Sequence, residues 1–162
     1  MSDEIIAVIR KQEAELQFDS FNEHTAYAIG SALHERAVTE KLTITVDIHL
    51  WDRRLFFFAM PGTTGLNAEW MRRKAWVVRN QGRSSYHQHF RVKGRELPPD
   101  TGVTHADYAL HGGAFPIRVK DTGIIGAIVV SGLHERDDHR LAVETLCDYL
   151  KRDRGEFALP QT

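Results

Sequence analysis

The stretch His111-Gly112-Gly113-Ala114-Phe115-Pro116-Ile117, continued by the run from Gly123 to Gly132, decides the fold. Phe115 to Val119 alternates apolar and polar residues. Asp121-Thr122-Gly123 supplies turn chemistry, and Ile124-Ile125-Gly126-Ala127-Ile128-Val129-Val130 is the most apolar run in the chain. The two pieces read as a hairpin. Its second strand, bounded by glycine, reads as a buried central strand.

A second hairpin is expected upstream. Ile44, Val46, Ile48 and Leu50 alternate with Thr43, Thr45, Asp47 and His49. Trp51 to Arg54 makes a turn, and Leu55 to Met60 returns as a strand. Helices are expected around both hairpins. A short one covers residues 3–14, with Ile5, Ile6 and Ile9 as its stripe. A longer one follows a capping box at Ser20-Phe21-Asn22-Glu23 and runs to about Lys41, with Gly30 allowing close approach to the sheet. Another runs from Leu66 to Asn80, stopped by Gln81-Gly82, and a last one spans about Asp137 to Arg152. Short strands are expected near Leu16–Phe18 and Tyr108–Leu110, and the tail after Gly155 reads as extended. Residues 82–108 read as a long loop, shortened by a strand over Tyr86–Val92 or a short helix near Leu97. Strands joined by tight turns and covered by helices make an α+β protein with an antiparallel sheet, folded as one domain over residues 1–162.

Lysine and arginine number 21 against 22 acidic residues, so bulk charge does not recruit nucleic acid or an anionic membrane. A single cysteine, Cys147, excludes an internal disulfide, a cysteine-type zinc site and covalent haem attachment. The opening Met1-Ser2-Asp3-Glu4 is acidic where a secretory signal is basic. No apolar run approaches ~18 residues, which makes the cytoplasm the expected location.

His111-Gly112-Gly113 resembles an esterase oxyanion loop, but that chemistry needs a Gly-x-Ser-x-Gly elbow. The candidate Val129-Val130-Ser131-Gly132-Leu133 lacks the flanking glycines, which excludes it. Gly112-Gly113 then marks either a tight strand entry or amides lining a ligand pocket. Among nine histidines, His87 and His89 share one side if their segment is a strand. His105, His111, Asp100 and Asp107 are further conceivable zinc ligands. No HExxH pattern is present, and solvated loop histidines are the commoner case. His111 is the first candidate for an axial haem ligand. Asp47 and His49 share a strand face and form a conceivable acid–base pair. Asp137-Asp138-His139 reads as helix-start electrostatics, and Cys147 as packing.

Two sets of residues, specific as sets, resemble a known superfamily. The first is Gly112 to Ile117, Gly123, Gly126 to Gly132 and Asp138-His139. The second is Pro61-Gly62-Thr63, Asn67, Trp70, Arg73-Lys74, Val77 and Ser84-Ser85. Together they resemble the haem-degrading-domain superfamily, in the branch called uncharacterised protein family 0303. The resemblance implies a five-stranded antiparallel sheet of profilin-like appearance, assembly as a homo-oligomer, and, loosely, haem or tetrapyrrole binding. It also implies an Asp before Asn67, where this chain has Leu66. The resulting expectation is a small-ligand-binding module built from His111, Gly112, Gly113, Phe115, Ser131, Gly132, Ser84, Ser85, Asn67 and Lys74. The alternatives are a non-catalytic oligomeric interaction protein and an enzyme using Asp47, His49, Lys74 or His111 as acid–base groups.

Overall fold

A computed structural model describes residues 2–161. Among these residues the sheet has four antiparallel strands: β1 (Thr45–Leu50), β2 (Arg53–Ala59), β3 (Ala114–Val119) and β4 (Gly123–Ser131), in the order β2-β1-β4-β3. The α+β expectation is borne out. Four strands replace the five implied by resemblance. The Leu16–Phe18 segment contributes only a single bridge, Phe18 with Val119, because Phe18 plugs the core there instead of continuing along the edge. Tyr108–Leu110 forms no strand.

The apolar run Ile124–Val130 is a central strand. β4 pairs with β3 on one side and β1 on the other, so its backbone bonds are satisfied on both edges. Its alternation also sorts the faces. Ile128 and Val130 join Val46, Ile48, Phe115 and Ile117 on one face, and Ala127 and Val129 join Ala114 on the other.

The first face is covered by α2 (Glu23–Thr39) and α5 (Glu135–Tyr149). Leu33, Leu141 and Leu146 of these helices are at most 1% exposed, which makes this the main core. Gly30 meets the Phe56 ring, and a methyl group there would run into it, so the helix glycine does allow close approach. The second face is covered by α3 (Gly65–Gln81), which packs Met71, Ala75 and Val78 onto β4, β3 and β1.

Local chemistry fixes the helix ends. Thr64 caps α3, and the Asn67 side chain reaches back to the Thr64 amide, a reciprocal cap; left-handed Gly82 ends the helix. The cap of α2 is Asn22 paired with Thr25, not the expected Ser20–Glu23 box. The N-terminal helix α1 is Ser2–Glu15.

The expected long loop is largely structured. Ser84 caps a helix α4 over Ser85–Arg91, followed by single 3-10 turns at Lys93–Arg95 and Pro99–Thr101. The strand alternative over Tyr86–Val92 is therefore wrong. Once Ser84 supplies the cap, Tyr86 packs beneath the helix on Ile5 and Ile9. The tail, expected to be extended, also makes a 3-10 turn at Arg154–Phe157 that buries Phe157. Among the described residues no helix is long and apolar enough to cross a membrane.

Candidate functional site

The end of β4, the start of α5, one flank of α3 and the residues before β3 enclose a cavity of about 270 Å³. Asn67, Trp70 and Lys74 reach it from α3, at the three- and four-residue spacing of one helix face. Ser131, Gly132 and Leu133 form its floor at the strand end, Glu135 and Asp138 enter from α5, and His111 closes another side.

A buried ion pair forms part of its wall. Lys74 Nζ donates to Asp138 Oδ2 at 3.0 Å and to the Val130 carbonyl at 3.2 Å. The other oxygen, Asp138 Oδ1, accepts the Leu133 amide at 2.9 Å. Lys74 and Asp138 are only 3% and 2% exposed. Burial pushes the lysine below its ordinary range and the carboxyl above its own; the attraction between the two opposes both shifts. The pair is the closest ionic contact between α3 and α5.

The backbone makes room for it. Gly113 has φ of +133°, and a side chain there would strike the Val130 carbonyl and crowd Lys74 Nζ. A side chain on Gly112 would strike the Glu135 carbonyl. The two glycines thus press the strand entry against the helix start.

Arg95 bridges the mouth. It donates to His111 Nε2 at 2.7 Å and to Glu135 Oε1 at 3.0 Å. A guanidinium has no acceptor, so His111 Nε2 is the accepting nitrogen and the ring proton sits on Nδ1. Nδ1 is buried without a hydrogen-bond partner. Burial lowers the His111 pKa, with Glu135 opposing and Arg95 and Lys74 reinforcing the shift. Trp70 meets the His111 ring edge-to-face at 4.9 Å and carries the Arg73 guanidinium at 4.3 Å on its ring.

The ten expected residues divide into lining and support. Asn67, Lys74, His111, Ser131 and Gly132 line the cavity, and Gly112 and Gly113 shape it. The Asn67 amide, held by the helix cap, points to the Ser131 carbonyl 3.5 Å away. Ser84 and Ser85 stand behind: Ser84 Oγ accepts the His87 amide, and Ser85 Oγ accepts the Ala114 amide. Phe115 lies in the main core, away from the cavity, because its strand parity turns it to the opposite sheet face. Leu66 is 63% exposed, outside the lining.

Three participants escape a reading of the sequence. Asp138 reads as helix-start charge, yet only Asp137 stays at the surface, paired with Arg140, while Asp138 turns inward. Glu135 and Arg95 are unremarkable until Arg95, at φ of +58°, turns across the mouth.

The conceivable zinc ligands do not converge. His87 bonds Glu13 at 2.8 Å, His105 reaches Glu96, and His89 donates to the Leu110 carbonyl. Among the described residues no three His, Cys, Asp or Glu side chains are placed to hold a metal ion. Asp47 and His49 do adjoin, 3.6 Å apart, in a different concavity.

Residues 21–147 match the family described as haem degrading protein HbpS-like. The chain belongs to the HbpS-like family. Within it, a UPF0303 protein from Mesorhizobium japonicum is 48% identical, covering 95% of this chain and 93% of its own. One from Brucella canis is 45% identical over 96% of this chain and 93% of its own. The fold of this HbpS-like chain is shared by solved structures of low identity. The Ybr137w protein matches with TM-score 0.82 at 24% identity, covering 90% of this chain and 87% of its own. HbpS matches at TM-score 0.64 and 18% identity over 83% and 92%. The PduOC:heme complex matches at TM-score 0.65 and 20% identity over 80% of this chain and 94% of its own.

Proposed function

We propose that this HbpS-like protein is a small-ligand-binding module whose ligand occupies the cavity of Asn67, Lys74, His111, Ser131 and Asp138. The observation that carries the reading is the Lys74–Asp138 pair. Burying two charges is costly, and an apolar pair would pack the α3–α5 contact as well or better. Here the charges border an open cavity instead. An ammonium has three hydrogens, and Lys74 uses two on Val130 and Asp138, leaving one for a ligand acceptor. Asn67 and Ser131 add further polar groups to the same wall.

The volume sits just below the roughly 300–1,000 Å³ typical of drug-sized ligands. The ligand is therefore small and polar, and carries at least one acceptor. Self-association accompanies the reading as part of what the superfamily resemblance implies. A cytoplasmic setting is part of the same reading.

A tetrapyrrole is the second reading, favoured by the family description and by the haem complex of one relative of this fold. The residues of this cavity do not fit that group. His111 Nε2 is taken by Arg95, Nδ1 is buried, and the walls are charged and polar where a macrocycle needs an apolar slot.

A thermal-shift screen of small hydroxy acids, oxo acids, amino acids and amides tests the first reading. Stabilisation that grows with ligand concentration, and is lost in Asn67→Ala and His111→Gln, supports it. Stabilisation untouched by both substitutions counts against it. Haem titration tests the second. Without a Soret shift, or with one unaffected by His111→Ala, the tetrapyrrole reading at this cavity loses.

A further inference from the structure

The opposite flank of α3 borders a second, larger concavity. α3 covers β4, β3 and β1 but not the β2 edge, and the space between it and the β1–β2 hairpin is a groove of about 550 Å³. His49 and Trp51, two residues apart, reach it from the end of β1. Met71, Trp76 and Arg79 reach it from α3, and Arg54 from β2.

Four arginines and three carboxylates line this groove, and most of them are already committed. Arg54 gives two N–H groups to Asp47, at 3.2 and 3.3 Å. Arg72 pairs with Glu69 at 3.0 Å, and Arg53 pairs with Glu23. Among the described residues Arg79 makes no ion pair, and its guanidinium lies 5.9 Å from the Trp51 ring centre. Of the groove's carboxylates, Asp52 at the hairpin tip makes no ion pair among the described residues. His49 Nδ1 is buried without a hydrogen-bond partner, too far from Asp47 at 3.6 Å to make one.

We infer that this groove binds a planar aromatic anion, its ring against Trp51 and Trp76 and its charge on Arg79. Two half-buried indoles present flat, polarisable apolar surface. A single uncommitted guanidinium favours one anionic group over a neutral ring. A polyanion such as nucleic acid is disfavoured, because Asp52 faces the same space and the chain's net charge is −1. The inference is independent of the Lys74–Asp138 cavity, since the two sites share no lining residue.

The three tryptophans allow a direct test. Trp51 and Trp76 line this groove, and Trp70 lines the other cavity. Their indole N–H signals in a nitrogen-15 correlation spectrum are assigned with single Trp→Phe variants. The full chain is then titrated with naphthalene-2-sulfonate, with naphthalene-2-methanol as the neutral counterpart and inorganic sulfate as the anion alone. The expected result is saturable movement of the Trp51 and Trp76 signals, not Trp70. Binding should weaken about tenfold or more for the neutral compound, for sulfate, and in Arg79→Ala, a surface substitution that leaves the fold in place. Equal binding of sulfonate and alcohol, or unchanged affinity in Arg79→Ala, overturns the inference. So does absence of any shift. In that last case, a dimer by light scattering that Trp51→Ala dissociates would identify the groove as a contact between two copies.

Discussion

Lys74 on α3 and Asp138 on α5 meet at 3.0 Å beside an open cavity, both almost fully buried. The contact joins the helix on one sheet face to the helix on the other, across the end of the central strand. It ties the fold's stability to the same groups that border the cavity.

Removing one partner leaves the other charge buried alone. Asp138→Leu or Lys74→Met is expected to cost about 3–5 kcal/mol in urea unfolding at neutral pH. The double variant should cost clearly less than the sum, because it leaves no orphaned charge. Additive losses would show that the two residues are not coupled.

Gly113 holds a left-handed backbone against Val130 and Lys74. Gly113→Ala should destabilise the protein by about 2 kcal/mol or more, combining conformational strain with a backbone clash. An unchanged thermal midpoint would contradict the close approach. Gly123, also at positive φ but with open space around it, should lose less on the same substitution.

His139 is fully buried, and burial lowers its pKa to about 3 from an ordinary value of 6.5. Nε2 bonds Gln12 at 2.8 Å, and the ring lies 5.1 Å from Tyr86. Below pH 6.5 the unfolded chain takes up this proton and the folded chain does not. Stability therefore falls with acid through that window, by up to about 1.4 kcal/mol per pH unit for this one group. A His139→Gln variant should show a shallower acid slope in chemical unfolding between pH 6.5 and 4. An identical slope would mean that the histidine charges within the fold.

Arg95 is one of the nearby charges that depress the His111 pKa, and its N–H holds the ring in its neutral form. Arg95→Ala should raise the midpoint of His111 in a proton-NMR titration, since burial then acts with less positive charge nearby. A midpoint that stays fixed or falls would show that Arg95 does not face the ring in solution.

The sheet was legible because period-two alternation states both strand and face. Val46 and Ile48 point to the main core by alternation, whereas the continuous apolar run of β4 marks burial without a face, and the parity of β3 turns Phe115 to the same face as Val46. The helix start of α3 was readable in outline, but Asn67 acquires its aim only through its bond back to Thr64. Asp138 reads as a surface group from sequence for a physical reason. A carboxylate in a helix's first turns is usually a surface group complementing the helix dipole, and only the approach of Lys74 from 64 residues away changes that. Residues 82–108 were opaque because α4 draws its stability from tertiary packing. Tyr86, Glu13 and the Ser84 cap hold seven residues helical that would be marginal alone. Arg95 left no sequence signal, since its role depends on one left-handed backbone angle.

The claim that the Lys74–Asp138 cavity is the ligand site is tested most directly by following the Trp70 indole N–H signal. The titrant is the best stabilising small polar compound from the screen. Saturable movement of Trp70, with Trp51 and Trp76 still, and loss of that movement in Asn67→Ala, is the expected result. Binding that leaves Trp70 unmoved, or that persists unchanged in Asn67→Ala, would contradict it.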